Sequence, residues 1–507
     1  MRVRFAPSPT GALHIGGVRT ALYNYLLAKK NGGKFLLRVE DTDRTRFVPG
    51  AEQYFYDALN WLGISPDEGP QQGGDYGPYR QSERKDMYAQ YAYQLVESGH
   101  AYYAFDTPKE LDEWRNRLKE EGVHTARYDQ TTRMSMKNSL TFSKEEVSAW
   151  LATDKPFVIR LKIPENEEVL INDLIRGEVR FKSEELDDKV MLKADGMPTY
   201  HMANIVDDHL MKITHVIRGE EWLSSTAHHV YLYRFLNWEK EMPAFAHLPL
   251  ILKPQGSGKL SKRDGKKFGF PVFPLSWNGD TEEDSFTGFR EEGYIPEALI
   301  NFLAFLGWNP GTEQEIFSMD ELVKAFTLER VNKAGARFDI DKIKWFNQQY
   351  LQEQTPEQIL STIKPLAEAK GWNKSDEFLL GVIDLMRERV QFAPDIITDG
   401  YYFFEDVKEY DEKMIRKKWK GEAPKVLEDY ASILLEMNSF SSEGIESKTK
   451  DYLEKNELKF GDLFPILRIA LTGNTKGPSV FEMMNLLGKE SVLERISTSV
   501  GKFNIVT

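Results

Sequence analysis

A chain of 507 residues is longer than one hydrophobic core supports, so roughly three to five domains are expected. Apolar residues at 41%, aromatics at 12% and charged residues at 29% exclude a disordered or fibrous chain. A net charge of −13 excludes a protein that coats nucleic acid with its whole surface, and the absence of cysteine excludes disulfides, thiolate zinc sites and a cysteine nucleophile.

At the start of the chain Arg2 and Arg4 lead straight into FAPSP without the apolar segment of a signal peptide. No run of about 18 apolar residues follows anywhere, which predicts a cytoplasmic protein that does not enter membranes. Residues 3–5 read as a short strand stopped by Pro7 and Pro9. A loop carrying Gly11, His14, Gly16 and Gly17 comes next, then a helix from Val18 to the stop at Asn31, Gly32 and Gly33. Residues 35–39 form a second strand, ending at Glu40. This βαβ unit predicts a parallel sheet with its ligand site beyond the strand carboxyl ends, where His14 and Glu40 fall.

From about residue 102 to 193 the pattern changes to a charged helical segment, a polar link and β-like runs, as of an inserted α+β domain. A helix opening at 198–204 and a strand at 215–218 then resume the α/β pattern. The segment 268–287, rich in Gly, Pro and aromatics, reads as a surface excursion, and from about Ala336 amphipathic helical patterns run to the end. Within that third, KMIRKKWK at 413–420 reads either as a basic patch with a stacking aromatic or as a solvated helix face.

Two elements seek phosphate. The N-terminus of the first helix, with glycines that let a nucleotide approach the backbone, is a natural phosphate site, and His14 can hydrogen-bond phosphate oxygens. Far downstream, KLSKR at 259–263 lies in a Gly-rich polar loop that suits a mobile cationic lid, Lys259 and Lys262 clamping the β- and γ-phosphates. Each is weak alone. Together, on either side of an interrupted α/β sheet, they predict ATP chemistry.

On these residues the sequence resembles the class I aminoacyl-tRNA synthetases, and the resemblance narrows to the glutamyl-tRNA synthetase family. RFAPSPTG at 4–11, LHIGG at 13–17, RVEDTDR at 38–44, GPYRQSER at 77–84, DGMPTYH at 195–201, NIVDDH at 204–209, VIRGEEW at 216–222 and LRIALTG at 467–473 look like that family's blocks in order. The resemblance implies a multidomain α/β plus all-α protein. Residues 1–101 and 193–235 would form a split Rossmann-like catalytic domain, and 102–192 an inserted acceptor-end-binding domain. Residues 236–335 would form a stem-contact domain carrying the KLSKR loop, and 336–507 a helical anticodon-binding region in two parts, 336–410 and 411–507.

It further implies an enzyme, a monomer, that uses ATP with Mg²⁺ to join L-glutamate to tRNA(Glu) through glutamyl-adenylate. His14, Gly16, Gly17, Glu221, Trp222, Lys259, Leu260, Ser261, Lys262 and Arg263 would meet ATP, with His14, Lys259 and Lys262 catalytic. Arg218 would hold the side-chain carboxylate of glutamate, assisted by Tyr200, Asn204 and Arg4, while Glu40, Ala6 and Ser8 receive the amino and backbone end. A paired guanidinium suits this task because leaving it unpaired makes glutamine costly to bind. Arg389 falls where members that discriminate tRNA(Glu) from tRNA(Gln) carry an arginine. Gly17 stands where the superfamily pattern has a second histidine, which implies that backbone supplies one phosphate contact. The cysteines of some relatives' zinc knuckle are missing, and His100 with His124 makes a poor substitute, so no zinc is expected. Rival readings are a version that also charges tRNA(Gln), a glutaminyl-tRNA synthetase, the truncated paralogue that glutamylates a tRNA base, and a non-catalytic RNA-binding relative.

Overall fold

Val3 and Phe5 are buried in β1 (Arg2–Phe5), which pairs in parallel with β2 (Lys34–Leu37), Phe5 standing opposite Leu37. Between them runs α1 (Ile15–Lys30), whose Ile15, Val18, Leu22 and Leu26 are fully buried. The expected βαβ unit is therefore present. Its helix starts three residues before the apolar periodicity suggested, because the His14 ring rather than a Ser or Asp side chain caps it. The computed structural model describes residues 1–123, 126–279 and 281–506.

After α2 (Ala51–Trp61) and α3 (Lys85–Glu97) the chain enters the segment of changed character. It comprises β3 (Ala101–Ala104), α4 (Pro108–Glu120), α5 (Lys144–Leu151), β4 (Val158–Leu161), β5 (Glu168–Asp173), β6 (Gly177–Lys182) and β7 (Val190–Leu192). β3, β4 and β7 form an antiparallel sheet, and β5 with β6 forms a hairpin whose residues alternate buried and exposed along β5. Helix α4 opens on a capping box between Thr107 and Glu110.

The parallel pattern then returns. α6 (Tyr200–Leu210) leads to β8 (His215–Gly219), and α7 (Leu223–Phe235) crosses to β9 (Ala244–Leu248), parallel to β8. The Thr214 N–H donates to the Arg2 carbonyl at 2.9 Å, joining the start of β8 to β1. β10 (Ile251–Leu252) pairs in parallel with β11 (Ala336–Arg337), so the chain is not purely helical from Ala336 onward.

The KLSKR segment is only half a loop. Its second lysine opens α8 (Lys262–Phe268), capped by Ser261, whose N–H and hydroxyl both donate to Asp264 Oδ2 at 2.8 and 2.6 Å. The Ser-x-x-Asp spacing is that of a capping box, which the reading of this segment as a loop passed over. The 268–287 segment also departs from expectation. Phe270, Val272, Phe273 and Leu275 are buried, Phe273 stacks on Phe286 at 3.7 Å, and the Ile15 N–H donates to the Val272 carbonyl at 3.0 Å. Phe270 and Phe273 are core and Val272 supports the start of α1, whereas residues 281–284 are exposed as expected and Asp280 lies outside the described residues.

By contacts the chain divides into two units, Met1–Glu292 with Leu299–Ile340, and Gly293–Ala298 with Asp341–Thr507. The second is helical; Val382, Ile383 and Met386 enter its core as their spacing requires, as do Leu463, Ile466, Leu467 and Leu471, and Leu379 is buried beside them in sequence. In the basic run, Glu412–Lys418 is a helix, but Trp419 is only 4% exposed, meets Phe503 edge-on and donates its indole N–H to Asn504 at 2.8 Å. It is a packing residue and offers no face to a base. His100 stacks on Phe235 at 4.0 Å, and His124 lies outside the described residues.

Candidate active site

The loop from β1 to α1, the ends of β2 and β8, the start of α6 and the segment from β9 to α8 enclose a cavity of about 610 Å³. Arg4, Ala6, Ser8, His14, Gly16, Gly17, Glu40, Tyr200, Asn204, Arg218, Glu221, Trp222, Lys259, Leu260, Ser261 and Lys262 all line it. Of the residues expected in the catalytic half, Arg263 alone does not line it; its side chain is exposed at the surface of α8.

At one end stands His14. Its Nδ1 accepts the Gly16 N–H at 3.1 Å, so in the neutral ring the proton sits on Nε2, which is buried without a hydrogen-bond partner among the described residues. Burial, then Lys259 and Lys262, lower its pKa to about 4. The ring is therefore a neutral donor at physiological pH. The backbone of the helix start is not available as the sequence suggested. The Gly16 N–H is held by the His14 ring, the Ile15 N–H by Val272, and the Gly17 and Val18 N–H groups both by the His14 carbonyl. At Gly17 an added Cβ would lie 2.6 Å from Leu13 Cδ1, so a larger residue there needs the Leu13 side chain to shift. Gly11, at φ +133°, sits where a Cβ would be 3.6 Å from Lys262 Nζ.

The two lysines differ. Lys259 Nζ is bound to Glu221 Oε1 at 2.6 Å, whereas Lys262 Nζ lies 5.5 Å over the Phe273 ring and has no ion-pair partner among the described residues.

The other end of the cavity is built on buried charge. Arg4 donates to both Asp208 oxygens at 3.0 and 3.1 Å, and Arg38 to Asp208 Oδ1 at 2.7 Å and Glu40 Oε1 at 3.1 Å. Asn204 donates to Glu40 Oε1 at 3.0 Å, closing the network. Burial raises the Glu40 pKa against the pull of Arg38 and Arg4. Asp208 and Arg38 were not singled out from the sequence. A charge inside the apolar strand FLLRV and paired aspartates inside NIVDD were the available signals, because buried charges need partners.

Arg218 is the exception in this part of the cavity. Its side chain donates to His247 Nε2 at 3.1 Å, to the Tyr200 hydroxyl and Thr226 Oγ1 at 2.8 Å each, and to the Trp222 carbonyl at 3.3 Å. Among the described residues it has no carboxylate partner, although it is 6% exposed. Tyr200 in turn packs against Trp222 with ring centres 4.5 Å apart. A buried guanidinium whose hydrogen-bond partners are all neutral is a strong site for an anionic ligand. The cavity thus holds a neutral donor and lysines at one end and an unmatched guanidinium at the other.

Arg389 lies in the second unit, in the turn after the helix Asp376–Met386. Its exposed side chain lines a cleft of about 990 Å³ with Tyr402, Asn474 and Lys476.

Comparison with known proteins gives a consistent picture. Residues 1–345 match the family model of the class I tRNA synthetases (E and Q), catalytic domain, and residues 348–500 match an anticodon binding domain. The chain is 53% identical to the glutamate–tRNA ligase of Cytophaga hutchinsonii, over 98% of this chain and 96% of that protein. It is 51% identical to that of Amoebophilus asiaticus, over 99% and 98%. A crystal structure of a glutamate tRNA ligase from Elizabethkingia meningosepticum in complex with its amino acid superposes with a TM-score of 0.95 at 50% identity, covering 99% of both chains.

Proposed function

The chain belongs to the glutamate–tRNA ligase family of class I tRNA synthetases, and from that premise we propose that its cavity activates L-glutamate with ATP and passes the acyl group to tRNA(Glu). The reaction is aminoacylation of tRNA(Glu) with glutamate. The single observation that carries the assignment to this cavity is the buried Arg218 without a carboxylate of its own. A glutamate side-chain carboxylate completes it, with the Tyr200 hydroxyl and Asn204 alongside, while Glu40, Ala6 and Ser8 receive the ammonium and backbone end.

ATP occupies the opposite end. An oxygen of the glutamate α-carboxylate attacks the α-phosphorus, the α–β phosphoanhydride breaks, and pyrophosphate leaves. His14 meets the developing phosphate charge as an N–H donor, and Lys262 as a cation without a competing partner. Lys259 joins them on exchanging Glu221 for phosphate. The 2′-hydroxyl of the terminal adenosine then attacks the carbonyl carbon and displaces AMP. No side-chain nucleophile takes part. Mg²⁺ would accompany ATP as its counter-ion and would offset the charge of the phosphates.

In the same reading residues 1–101 with 193–235 are a Rossmann-like catalytic domain, and 102–192 bind the tRNA acceptor end. Residues 236–335 contact the stem, and 336–507 grip the anticodon, where Arg389 and its neighbours face single-stranded bases. The helical second unit favours this reading over a glutaminyl enzyme with a β-barrel anticodon part. The test is aminoacylation of purified tRNA(Glu) and tRNA(Gln) with glutamate or glutamine. Glutamate on tRNA(Glu) is expected; charging with glutamine, or no charging at all, overturns the proposal.

A further inference from the structure

We propose that Asp173 and His247 form a positioning relay that orients the Arg218 guanidinium for a substrate carboxylate while denying it a carboxylate partner within the protein. The inference rests on the reading of the cavity as a glutamate site.

His247 on β9 is the direct register partner of Arg218 on β8, so their side chains are cross-strand neighbours. His247 Nε2 accepts the Arg218 Nε–H at 3.1 Å, and its Nδ1 lies 2.6 Å from Asp173 Oδ2. Asp173, the last residue of β5, is fixed in turn. Its Oδ1 accepts the N–H groups of Ile175 at 2.9 Å, Arg176 at 2.8 Å and His247 at 3.3 Å. Burial alone would raise the Asp173 pKa, but His247 and these N–H groups more than offset it and keep the carboxylate charged. Burial lowers the His247 pKa, so the ring is neutral, with its proton on Nδ1 and its lone pair toward Arg218. Neither side chain exposes any surface.

The chemistry gained is specific. An aspartate placed directly on Arg218 would neutralise the guanidinium and compete with the substrate, as Asp208 does for Arg4. A neutral imidazole between them transmits direction without transmitting the full opposing charge. Thr226 accepts from Nη2 and Tyr200 from Nη1 at 2.8 Å, and the second Nη1 N–H has no protein partner among the described residues. The fork is therefore held on three sides, with its charge unmatched. A carboxylate gains from that charge and a carboxamide gains far less, so the relay serves the choice of glutamate over glutamine.

The test compares the full-length wild type with Asp173→Asn, His247→Leu and His247→Gln in pyrophosphate exchange with tRNA(Glu) present. It measures kcat and KM for glutamate and glutamine, KM for ATP and melting temperature. For His247→Leu and Asp173→Asn, KM for glutamate is expected to rise about 10- to 100-fold, with the glutamate-to-glutamine ratio of kcat/KM falling by a similar factor. The kcat for glutamate and the KM for ATP should change less than about 3-fold. His247→Gln, whose side-chain carbonyl can still accept the Arg218 Nε–H, should recover most of the loss. The relay is wrong if glutamate KM and selectivity hold in His247→Leu while the wild type activates glutamate normally. It is also wrong if glutamate KM, ATP KM and melting temperature worsen together and His247→Gln is no better than His247→Leu, which marks a merely structural pair. Should His247→Leu not fold, Asp173→Asn and His247→Gln decide by the same criteria. A wild type that does not activate glutamate removes the functional reading itself.

Discussion

His14 caps its own helix: its Nδ1 accepts the Gly16 N–H at 3.1 Å, which leaves Nε2 as the ring's donor. The residue that caps α1 is thereby a residue that lines the cavity, at the end proposed for the nucleotide. Structure and chemistry are tied at one ring, and substitutions can separate them.

For His14→Ala we expect adenylate formation to fall about 10²- to 10³-fold, the usual cost of a missing preorganised donor. The KM for glutamate should change little, because Arg218 lies at the other end of the cavity. Single-turnover pyrophosphate release measures the first and steady-state exchange the second. A large rise in glutamate KM without a rate loss would contradict the assignment.

The same ring predicts a pH dependence of stability. The unfolded histidine takes up its proton near pH 6.5, but the folded one does so only near 4. Between those values the unfolded chain binds more protons, so the folded state loses stability as pH falls, by up to about 3 kcal/mol. Denaturant titrations from pH 7 to 4.5 should therefore show a steeper decline for the wild type than for His14→Gln. Equal slopes would mean that the folded ring takes up its proton in the same pH range as the unfolded one.

Lys262→Ala should lower adenylate formation about 100-fold or more while leaving tRNA(Glu) affinity within about 2-fold. Filter binding and pyrophosphate exchange measure the two quantities. Parallel loss of both would point to a structural role for the start of α8.

At Gly17 the contact with Leu13 predicts that Gly17→Ala costs about 1–3 kcal/mol by overpacking. The double variant with Leu13→Ala should show favourable coupling, because the added methyl then has room. Additive effects in chemical denaturation would rule out this clash as the cause.

Arg389→Ala should reduce the preference for tRNA(Glu) over tRNA(Gln), by about 10-fold for one lost polar contact to a base. Adenylate formation should be unaffected. Comparative charging of the two tRNAs provides the measurement, and unchanged preference would remove Arg389 from discrimination.

Local patterns carried the two elements expected to meet phosphate and the parallel strands. Apolar period and turn residues located α1, β1, β2 and β8, because these signals act within a few residues. The blocks around His14, Arg218 and Lys259 led to the cavity even though neither half of the paired motifs was persuasive alone. The role of the backbone at Gly16 and Gly17 was misread, since a side chain of the same loop occupies donors that a bare helix start leaves free. Residues 270–275 and Trp419 were also misread as surface, because Gly, Pro and Lys neighbours mark the chain's path and not what it packs against.

By itself, then, the sequence determined which residues line the cavity and the helical character of most of the last third. Only the tertiary structure decided which charges are already spent. Arg4 is paired with Asp208, Lys259 with Glu221, and Arg218 with no carboxylate among the described residues. Those pairings join residues as much as 204 positions apart. No local period encodes them; they exist because folding brings β1, α6, β8 and β9 around one cavity, where desolvation makes every unmatched charge count.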